Sequence, residues 1–561
     1  MVNFTPLLFA EATWIKYNSL VSVNFHNLKK IQLFTVLFFL ILITSFLLRF
    51  LVISNHNFPF TTDQGRDMLD IRDIAVGHHL RLIGPTTGIN GVFLGPAWYY
   101  FNLPAFILGG GDPAVLVYWQ ILWFQLAGLA IWLFYYRKST SLALTLSSLF
   151  LLSPTMFYQS RYSWNANPIP FFIIFFFLLL NKTLEKTTTS NLLFLGLLVG
   201  ISFQIDAALT VVFFPFALLW LLLTKFGETK FNLKFLKKVF SYFLGFGLTL
   251  LPQLFFELRH QFLNTQAFLA EISGKTNILG EKLSFAQRLW SHLESFKNVN
   301  NGALELPLNI SLFLLLLATG YMCFKIIKDK VTKENKQSFL ASRQIFLLSF
   351  SFIIFSFLFY LLYAYPIKSW YLFGITVPYL FIIGSALVEF TKFNKKSYFL
   401  IPIALLILLY NSLIVQSKLI PNQTDRSDDR SNLRNEIEDI DWIYQKAAGR
   451  PFKLFTYMPS VYDFPYQYVV WWYASKKYGY QPDTISYLAG VPEYIPNNDS
   501  YQQKRRVVDK DYLTFLIIEK DSEKVDFFYR WVDNFNKLCI VESKQFKWRA
   551  QVQARSSCQN K

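Results

Sequence analysis

The feature that most constrains the fold is a series of about eleven long apolar runs. A helix of roughly 20 residues crosses the roughly 30 Å of hydrocarbon in a bilayer. Only 16% of the residues are charged, compared with about 25% in an average soluble domain. The chain is therefore predicted to form a polytopic bundle of transmembrane helices. The predicted spans lie near residues 31–53, 114–136, 141–157, 169–181, 192–205, 208–224, 239–256, 309–327, 345–363, 371–389 and 398–416.

The basic residues predict the orientation of this bundle. The formal net charge of +18 would also suit a nucleic-acid-binding protein, but the lysines and arginines gather between apolar runs, as on the cytoplasmic side of a membrane protein. We therefore expect no nucleic-acid partner, a bacterial cytoplasmic membrane location, the N-terminus inside and the C-terminus outside. The inner segments hold Lys16, Lys29, Lys30, Arg137, Lys138, Lys182, Lys186, the lysines from Lys225 to Lys238, the basic residues from Lys325 to Arg343, Lys392, Lys395 and Lys396.

This layout divides the chain into regions. Residues 1–30 form a cytoplasmic segment without the apolar core and cleavage site of a signal peptide, and residues 31–416 form the transmembrane core. Two long outer loops, residues 54–113 and 257–308, interrupt that core. Residues 417–561 form a small outer domain, in which strand-like "FKLFTYM" and "YLTFLIIEK" predict an α/β fold.

An aromatic helix and two cysteines are notable in the predicted outer domain. The stretch "YQYVVWWYASKKYG" is typical of an amphipathic helix, whose aromatic face is expected to pack on the sheet, with the lipid headgroup layer as the alternative. Cys539 and Cys558 are able to pair if the domain faces an oxidising compartment. Cys323 ends an apolar span, and the three cysteines do not have the spacing of a metal site.

The first outer loop begins with a charged helix in "FPFTTDQGRDMLDIRDIAVG". Thr62 or Asp63 is the expected N-cap, which places Asp63, Asp67 and Asp70 on one face. Like charges at this spacing repel, but Arg66 is expected to reach Asp63 and Asp70, with Asp67 nearby as a further acceptor. A salt-bridged helix on the membrane surface is the commoner meaning of this pattern. The alternative is a catalytic carboxylate whose pKa is raised at the outer mouth of the bundle.

The rest of this loop is rich in glycine, proline and aromatic residues. Two Gly-Pro pairs in "LIGPTTGINGVFLGPAWYYFNLPAFILGGGDP" predict a tight turn that leads to a helix along the membrane interface. Trp98, Tyr99, Tyr100 and Phe101 lie on that helix. Such rings either anchor a helix in the interface, stack on a sugar or hold a lipid chain.

With this layout the chain resembles the GT-C superfamily of glycosyltransferases, above all the protein O-mannosyltransferases and lipid A aminoarabinose transferases. The resemblance rests on the Asp of the first outer loop, the "GPAWYY" helix, the Asp-Pro start of the next span and the aromatic core, over roughly the first four hundred residues. It implies transfer of a sugar from a polyprenyl-phosphate carrier in the lipid bilayer to a protein, lipid or glycan acceptor at the outer face. By position Asp63 matches the acidic residue that acts as base or as acceptor-positioning group in this family.

Some positions depart from the family pattern. Gln64 stands where the O-mannosyltransferases have Glu, and Asn165 and Asn167 stand in the second outer loop, "YQSRYSWNANPIP", where a family acid is expected. An acidic pair is therefore absent unless Asp67 substitutes for it. No cofactor is required by the sequence, and a divalent cation is unsupported.

Polar side chains near the ends of apolar spans supply the remaining candidates, because charge at membrane depth is expensive and is usually functional. Arg161, Arg259 and Lys368 are candidates for a phosphate contact, with interfacial anchoring as the alternative, and Glu257 is expected to pair with Arg259. Asp206 is a candidate either for an acceptor contact or for a helix cap. The full set of substrate-binding candidates is Gln64, Arg66, Asp67, Tyr99, Tyr100, Arg161, Asn165, Asp206, Arg259, Lys368 and Tyr371.

The expected chemistry is a single displacement with inversion. The leaving phosphate monoester has a second pKa of about 6, so cations suffice to stabilise it, and only the acceptor needs a base on the opposite face. A secondary transporter or lipid-linked-sugar flippase is an alternative that predicts mid-span charges and paired broken helices. A non-catalytic scaffold, and a ligase or polymerase that uses a lipid-linked oligosaccharide, are further alternatives.

Overall fold

Apolar helices form a bundle that carries outer loops and a small mixed sheet. The computed structural model describes residues 25–226, 233–273, 280–328, 336–393, 399–419, 430–490, 494, 513–519, 525–548 and 550–558. Most of the predicted cytoplasmic segment 1–30 lies outside these ranges, as do parts of the basic inner segments.

Each predicted span coincides with a helix or with a bent pair of helices. The bundle contains α1 (Phe25–Ile53), α4 (Pro113–Tyr135), α5 (Thr140–Leu152), α6 (Pro154–Ser160), α7 (Ile169–Glu185), α8 (Thr189–Ile205), α9 (Ala207–Thr210), α10 (Phe213–Phe226), α11 (Leu233–Thr249), α12 (Leu251–Arg259), α15 (Leu308–Lys328), α16 (Lys336–Tyr360), α17 (Thr376–Phe393) and α18 (Leu400–Leu419).

Length and composition allow fewer membrane crossings than the sequence predicts. Within the described ranges four helices, α1, α4, α15 and α16, are long and apolar enough to cross a bilayer. The number rises to six if the bent pairs α5 with α6 and α11 with α12 each count as one span. The helices α8 and α18 are apolar but shorter. The predicted total of about eleven spans stays a prediction.

Ion pairs connect the ends of neighbouring helices in the bundle. Lys138, after α4, lies 2.5 Å from Glu185 at the end of α7. Buried Glu389, near the end of α17, lies 2.9 Å from Lys325, near the end of α15. These residues belong to the segments predicted to be cytoplasmic, and each pair joins two of those segments. The end of the bundle that carries α2 (Thr62–Ala75), the long loops and the sheet is called here the α2 end.

The bend of 54° between α5 and α6 is stabilised by side chains of α1. Pro154 begins α6 and has no backbone N–H, so carbonyl groups at the end of α5 lose their helical donors. Buried Arg49 donates from Nη1 to the carbonyl oxygen of Leu151 at 3.0 Å, and Ser45 Oγ donates to the same oxygen at 3.1 Å. Arg49 Nε also donates to Ser160 Oγ at 2.9 Å. A broken helix in an apolar bundle is thereby supplied with donors.

The two long loops of the α2 end are mostly helical. The first contains α2 (Thr62–Ala75) and α3 (Ala97–Leu108), and the second contains α13 (Leu263–Ile272) and α14 (Phe285–Leu304). Helix α3 lies where the sequence predicts a helix after the Gly-Pro pairs.

The C-terminal part has a five-stranded sheet in the order β2-β1-β3-β5-β4. Strand β1 is parallel to β2 and β3, whereas β5 is antiparallel to β3 and β4. Both predicted strands are present, as β1 and β3, and Cys539 and Cys558 form a disulfide. The elements are α19 (Leu433–Ala447), β1 (Phe452–Tyr457), α20 (Phe464–Val469), a π-helical turn (Val470–Ala474), α21 (Ser475–Tyr478), β2 (Thr484–Ser486), β3 (Leu513–Glu519), α22 (Val525–Asp533), β4 (Leu538–Gln545) and β5 (Ala550–Ser557).

The aromatic helix of this domain packs against protein. Tyr468 is fully buried and its hydroxyl donates to the carbonyl oxygen of Gly111 at 2.5 Å. The indole ring of Trp471 lies 5.0 Å from the guanidinium carbon of Arg72 on α2. The expected packing role of the helix is therefore right, and its partner includes the first outer loop as well as the sheet.

Candidate functional site

Helix α2 begins with a capping box. Thr61 is the N-cap, not Thr62 or Asp63 as predicted, and its backbone N–H donates to Gln64 Oε1 at 2.9 Å. Thr61 Oγ1 donates to the same oxygen at 2.5 Å. This arrangement satisfies polar groups at the helix start. Gln64 is buried and is held in a capping role, while Asp63 lies in the first turn, where the helix dipole favours an anion.

Arg66 joins two aspartates of α2 through one guanidinium. Its Nη1 lies 2.9 Å from Asp63 Oδ1, and its Nη2 and Nε lie 2.8 and 3.0 Å from Asp67 Oδ1. The two carboxylates differ in environment, because the side chain of Asp63 is 45% exposed and that of Asp67 only 5%. One arginine thus holds an accessible carboxylate beside a buried one.

Asp70 has other partners, so the predicted pairing of Arg66 with Asp70 is wrong. Asp70 Oδ1 lies 2.6 Å from Arg81 Nη2, and Asp70 Oδ2 accepts a hydrogen bond from the Tyr99 hydroxyl at 2.7 Å. The Tyr100 hydroxyl donates to the carbonyl oxygen of Arg81 at 3.0 Å. These two tyrosines therefore attach α3 to α2 and to the segment after it.

Asp67 is the most perturbed acid of the first loop. Burial raises its pKa to about 6 and the charge of Asp63 acts in the same direction, while Arg66 and a hydrogen bond from Trp98 oppose the shift. Trp98 Nε1 donates to Asp67 Oδ2 at 2.8 Å. Burial lowers the pKa of Arg66, but Asp67 and Asp63 outweigh it and the net shift is upward, so the guanidinium stays charged.

Asp67 also lines a narrow cavity at the inner side of α2. Aromatic and aliphatic side chains form most of its wall, and Gln64 and Ser163 add polar atoms. The apolar lining residues are Phe58, Pro59, Phe60, Met68, Ile71, Trp98, Pro113, Leu116 and Val117. Asp63 lies outside this cavity, towards the solvent-accessible side of the helix.

The segment after α6 faces Asp63. Burial, followed by the neighbouring Tyr158, raises the pKa of Tyr162 to about 12; Asp63 acts in the same direction and Arg161 opposes it. The guanidinium carbon of Arg161 lies 5.5 Å from the ring centre of Tyr158. The structure therefore brings both the predicted phosphate contact Arg161 and the predicted base Asp63 within electrostatic range of Tyr162.

A row of aromatic rings leads from Tyr162 to Lys368. The rings of Tyr162 and Trp164 are 6.4 Å apart, and those of Trp164 and Trp370 are 5.9 Å apart. Lys368 Nζ lies 5.2 Å from the ring centre of Trp370. A Cβ atom at Gly88 would lie 3.9 Å from Lys368 Nζ. Lys368 is thus exposed on the same face of the protein as the first outer loop.

The two Gly-Pro pairs form the base of a hairpin, residues 84–95, that spans from Arg66 to Lys368. Gly84 N–H donates to the Leu94 carbonyl at 2.8 Å, and a Cβ at Gly84 would collide with the backbone of Gly95. Arg66 Nη1 donates to Thr86 Oγ1 at 3.1 Å near the base of the hairpin, and Gly88 lies next to Lys368 near its tip. The predicted tight turn is therefore present and connects an acidic with a basic part of the α2 end.

Glu257 caps α13 and does not pair with Arg259 as expected. Glu257 Oε1 accepts from the Asn264 N–H at 3.0 Å, and Asn264 Oδ1 accepts from the Phe93 N–H at 2.7 Å. Arg259 is exposed at the end of α12, and in the part of the chain that the structure describes no hydrogen bond or ion pair joins it to the α2 carboxylates. The ring of His260 stacks on Phe256 at 4.1 Å, a structural contact.

Asp206 lies in a second polar group at the α2 end. It is the N-cap of α9, where its Oδ1 accepts from the Ala208 N–H at 2.8 Å, and burial raises its pKa to about 7. Asn165 Nδ2 donates to the Ile205 carbonyl at 3.1 Å. The Tyr360 hydroxyl is 2.8 Å from the carbonyl oxygen of Ala208 and 3.2 Å from that of Tyr371. Asp206 was expected either to contact an acceptor or to cap a helix, and its contacts are those of a helix cap.

Sequence reasoning missed two residues of this region. Trp98 was expected to anchor a helix, stack on a sugar or hold a lipid chain, and its hydrogen bond to Asp67 has no local sequence signal because 31 residues separate the two. Arg49 did carry a signal, since it is a lone charge inside the apolar run of α1. No group of three His, Cys, Asp or Glu side chains able to hold a metal ion occurs among the described residues.

Comparison with known proteins gives a match at the level of structure. No protein-family model matches the sequence, and no curated protein is significantly similar to it. The crystal structure of ArnT from Cupriavidus metallidurans in the apo state has a TM-score of 0.54 at 9% sequence identity and covers 94% of this chain and 98% of that chain. ArnT from the same organism bound to undecaprenyl phosphate has a TM-score of 0.51 at 10% identity, with the same coverage. The apo oligosaccharyltransferase of Archaeoglobus fulgidus has a TM-score of 0.44 at 13% identity and covers 88% of this chain and 71% of that chain.

Proposed function

From its GT-C-like fold, we propose that this protein is a membrane glycosyltransferase that moves a sugar from a polyprenyl-phosphate carrier to an acceptor, with inversion, at the outer face of the membrane. The observation that carries the proposal is the pair of carboxylates that Arg66 holds on α2, on the same face of the protein as Lys368 and Arg161. The acceptor is a protein, a lipid or a glycan.

The donor class follows from the fold and from the basic residues. ArnT, which shares the fold over 94% of this chain, was crystallised with undecaprenyl phosphate. Lys368 and Arg161 provide cations at the α2 end, and cations stabilise the charge that develops on a departing phosphate. Arg259, exposed at the end of α12, is kept as a third candidate for the phosphate or for the membrane interface.

Asp63 is the best candidate for the base. Its side chain is accessible to an acceptor, whereas the side chain of Asp67 is enclosed and accepts hydrogen bonds from Arg66 and Trp98. A base must come within hydrogen-bond reach of the acceptor hydroxyl or amine. Asp67 then acts as a positioning residue, because it fixes the guanidinium that orients Asp63.

The disulfide supports the outer placement of the α2 end. Disulfides persist in oxidising compartments and are rare in the cytosol. Cys539 and Cys558 are paired in the domain that packs on α2. The ion-paired opposite end, with Lys138 and Lys325, agrees with the excess of basic residues expected on the cytoplasmic side.

The test compares three neutralising substitutions on the same helix. Asp63→Asn keeps the side-chain size, and we expect a loss of about 10²- to 10⁴-fold in the release of polyprenyl phosphate from labelled lipid-linked sugars. Asp73→Asn is the matched control, because Asp73 lies on α2 but binds His79 and Arg81. Undiminished release by the Asp63 variant would remove it from the mechanism, and selective loss in Asp67→Asn would transfer the role of base to Asp67.

The transporter alternative is less well supported. It draws on two bent helix pairs, with angles of 54° and 53°. A proline in the first turn of the second helix of each pair, Pro154 in α6 and Pro252 in α12, accounts for both bends. The described ion pairs of the bundle helices lie at its ends rather than at mid-span. A ligase or polymerase using a lipid-linked oligosaccharide would use the same acid and cations, and differs only in the size of the donor.

A further inference from the structure

The segment from the end of β1 to the first residue of α20, residues 458–464, is called here the aromatic loop, and it lies directly against the start of α2. Ser460 Oγ accepts a hydrogen bond from Thr62 Oγ1 at 2.9 Å, and Thr62 is the residue before Asp63. One turn further along α2, a Cβ at Gly65 would lie 2.5 Å from the backbone nitrogen of Pro465. The C-terminal domain therefore forms one wall beside the proposed base.

The aromatic loop presents rings to the outside instead of burying them. The ring of Tyr462 stacks on Phe464 at 5.2 Å with an angle of 7°, and Phe464 meets Tyr494 edge to face at 4.7 Å. Tyr462 is 53% exposed and Tyr494 is 40% exposed. In the described part of the chain no hydrogen bond engages the Tyr462 side chain. Exposed large rings of this kind are typical of binding surfaces.

The backbone holds this loop in a costly conformation. Val461 has a φ of +69°, which is rare and strained for a β-branched side chain. Val461 is itself exposed, so packing of its own side chain does not explain the strain. Its N–H donates to the Met458 carbonyl at 2.9 Å, and the Thr62 hydroxyl donates to Ser460, the residue before Val461. Strain of this kind is found most often where a loop is shaped for function.

We propose that Tyr462, with Phe464 and Tyr494 behind it, is the acceptor platform of the proposed transferase, and that the acceptor group it binds is a sugar ring. This inference rests on the proposed function and specifies its acceptor as a glycan or another saccharide-bearing molecule. The flat face of Tyr462 packs against the C–H face of a pyranose, and the Tyr462 hydroxyl bonds a sugar hydroxyl. The hydroxyl oxygens of Thr62 and Ser460 act as acceptors, because their protons go to Ser460 Oγ and to the Tyr462 carbonyl.

The chemistry of the surface favours a saccharide over a lipid chain. An alkyl chain is best held by aliphatic walls, whereas this surface alternates ring faces with hydroxyl groups. Its position also suits the reaction, since a sugar stacked on Tyr462 is adjacent to the first turn of α2. The acceptor hydroxyl then points towards Asp63, which takes its proton as the oxygen bonds to the donor carbon and the phosphate leaves.

The experiment measures saccharide binding to the full chain in nanodiscs by saturation-transfer difference NMR. The probes are the methyl glycosides of glucose, galactose, mannose and N-acetylglucosamine, together with an unglycosylated serine-containing peptide. We expect at least one glycoside to bind the wild type, Tyr462→Ala to weaken it about three- to tenfold, and Tyr462→Phe to retain most of the affinity. Tyr529→Ala, which removes an equally exposed ring on α22, is the matched control and should bind as the wild type does.

A parallel measurement separates this inference from the proposed function. Thermal stabilisation by undecaprenyl phosphate reports the donor site and should be the same in the wild type and in Tyr462→Ala. If the lipid phosphate stabilises the protein but no glycoside binds, or the peptide binds in place of the glycosides, the saccharide platform is refuted and the transferase proposal survives. Equal affinity of Tyr462→Ala and wild type for the glycoside refutes the platform as well. Failure of the lipid phosphate to stabilise either protein counts against the proposed function.

Discussion

Substitution of Gly65 by alanine tests whether the C-terminal domain is seated on α2. The added Cβ would lie 2.5 Å from the Pro465 nitrogen, 2.7 Å from the Phe464 carbonyl carbon and 2.8 Å from Pro465 Cα. All three are backbone atoms, so no side-chain rotation relieves the overlap. Either α20 moves away from α2 or the helix start distorts.

The expected magnitude sets two effects against each other. Alanine is favoured over glycine inside a helix by about 1 kcal/mol, whereas overpacking a close contact costs about 1 to 3 kcal/mol. Three simultaneous backbone overlaps place Gly65→Ala at the upper end of that range, so we expect a net loss of about 1 to 2 kcal/mol. The displaced loop should also reduce sugar transfer, because Thr62 and Ser460 separate.

The assay combines thermal unfolding in detergent with limited proteolysis of the C-terminal domain. Gly320→Ala on α15 is the control, since nothing lies within 4 Å of its added Cβ, and it should leave the midpoint unchanged or raise it. We expect Gly65→Ala to lower the midpoint and to speed cleavage after β1. Identical behaviour of the two variants would show that α20 does not lie against α2 in solution.

Three further substitutions have expected outcomes. Burial raises the pKa of Asp67 from 3.8 to about 6. The stability that protonated Asp67 contributes is therefore fully present below about pH 4 and is lost as the pH rises through about 6, by at most about 3 kcal/mol. Melting curves of Asp67→Asn should lack this part of the pH dependence. Arg49→Met removes the donors to Leu151 and Ser160 and should lower stability by about 1 to 3 kcal/mol, with unchanged melting as the contrary result. Cys539→Ser with Cys558→Ser opens a loop of 19 residues and should cost about 3 kcal/mol, whereas equal melting of this variant and the oxidised wild type would show that the bond is not formed.

The helices of the bundle were predictable because a long apolar run can be recognised from the local sequence alone. Each predicted span falls on a helix, and α2 and α3 lie where the turn and cap residues place them. The N-cap of α2 was misplaced by one or two positions, since Thr61, Thr62 and Asp63 are all acceptable N-caps and only the bond from Thr61 to Gln64 decides between them.

The side-chain partners of α2 were less predictable, because spacing along a helix shows which contacts are possible but not which of them form. Arg66 has Asp63 and Asp70 within helical reach, but Arg81 and Tyr99 arrive from outside the helix and bind Asp70. Arg66 turns to Asp67 instead. The contact of α2 with the C-terminal domain has no sequence signal except Gly65. The need for glycine at this position becomes clear only from the structure, in which Pro465 packs against it.

The bond between Thr62 and Ser460 joins residues 398 positions apart in the chain, and this separation sets the order in which the protein can mature. During synthesis the ribosome delivers α2 to the membrane long before α20 has been translated. The wall beside Asp63 is therefore completed only after the bundle has been inserted, so a nascent or truncated chain carries the carboxylate without its neighbouring surface.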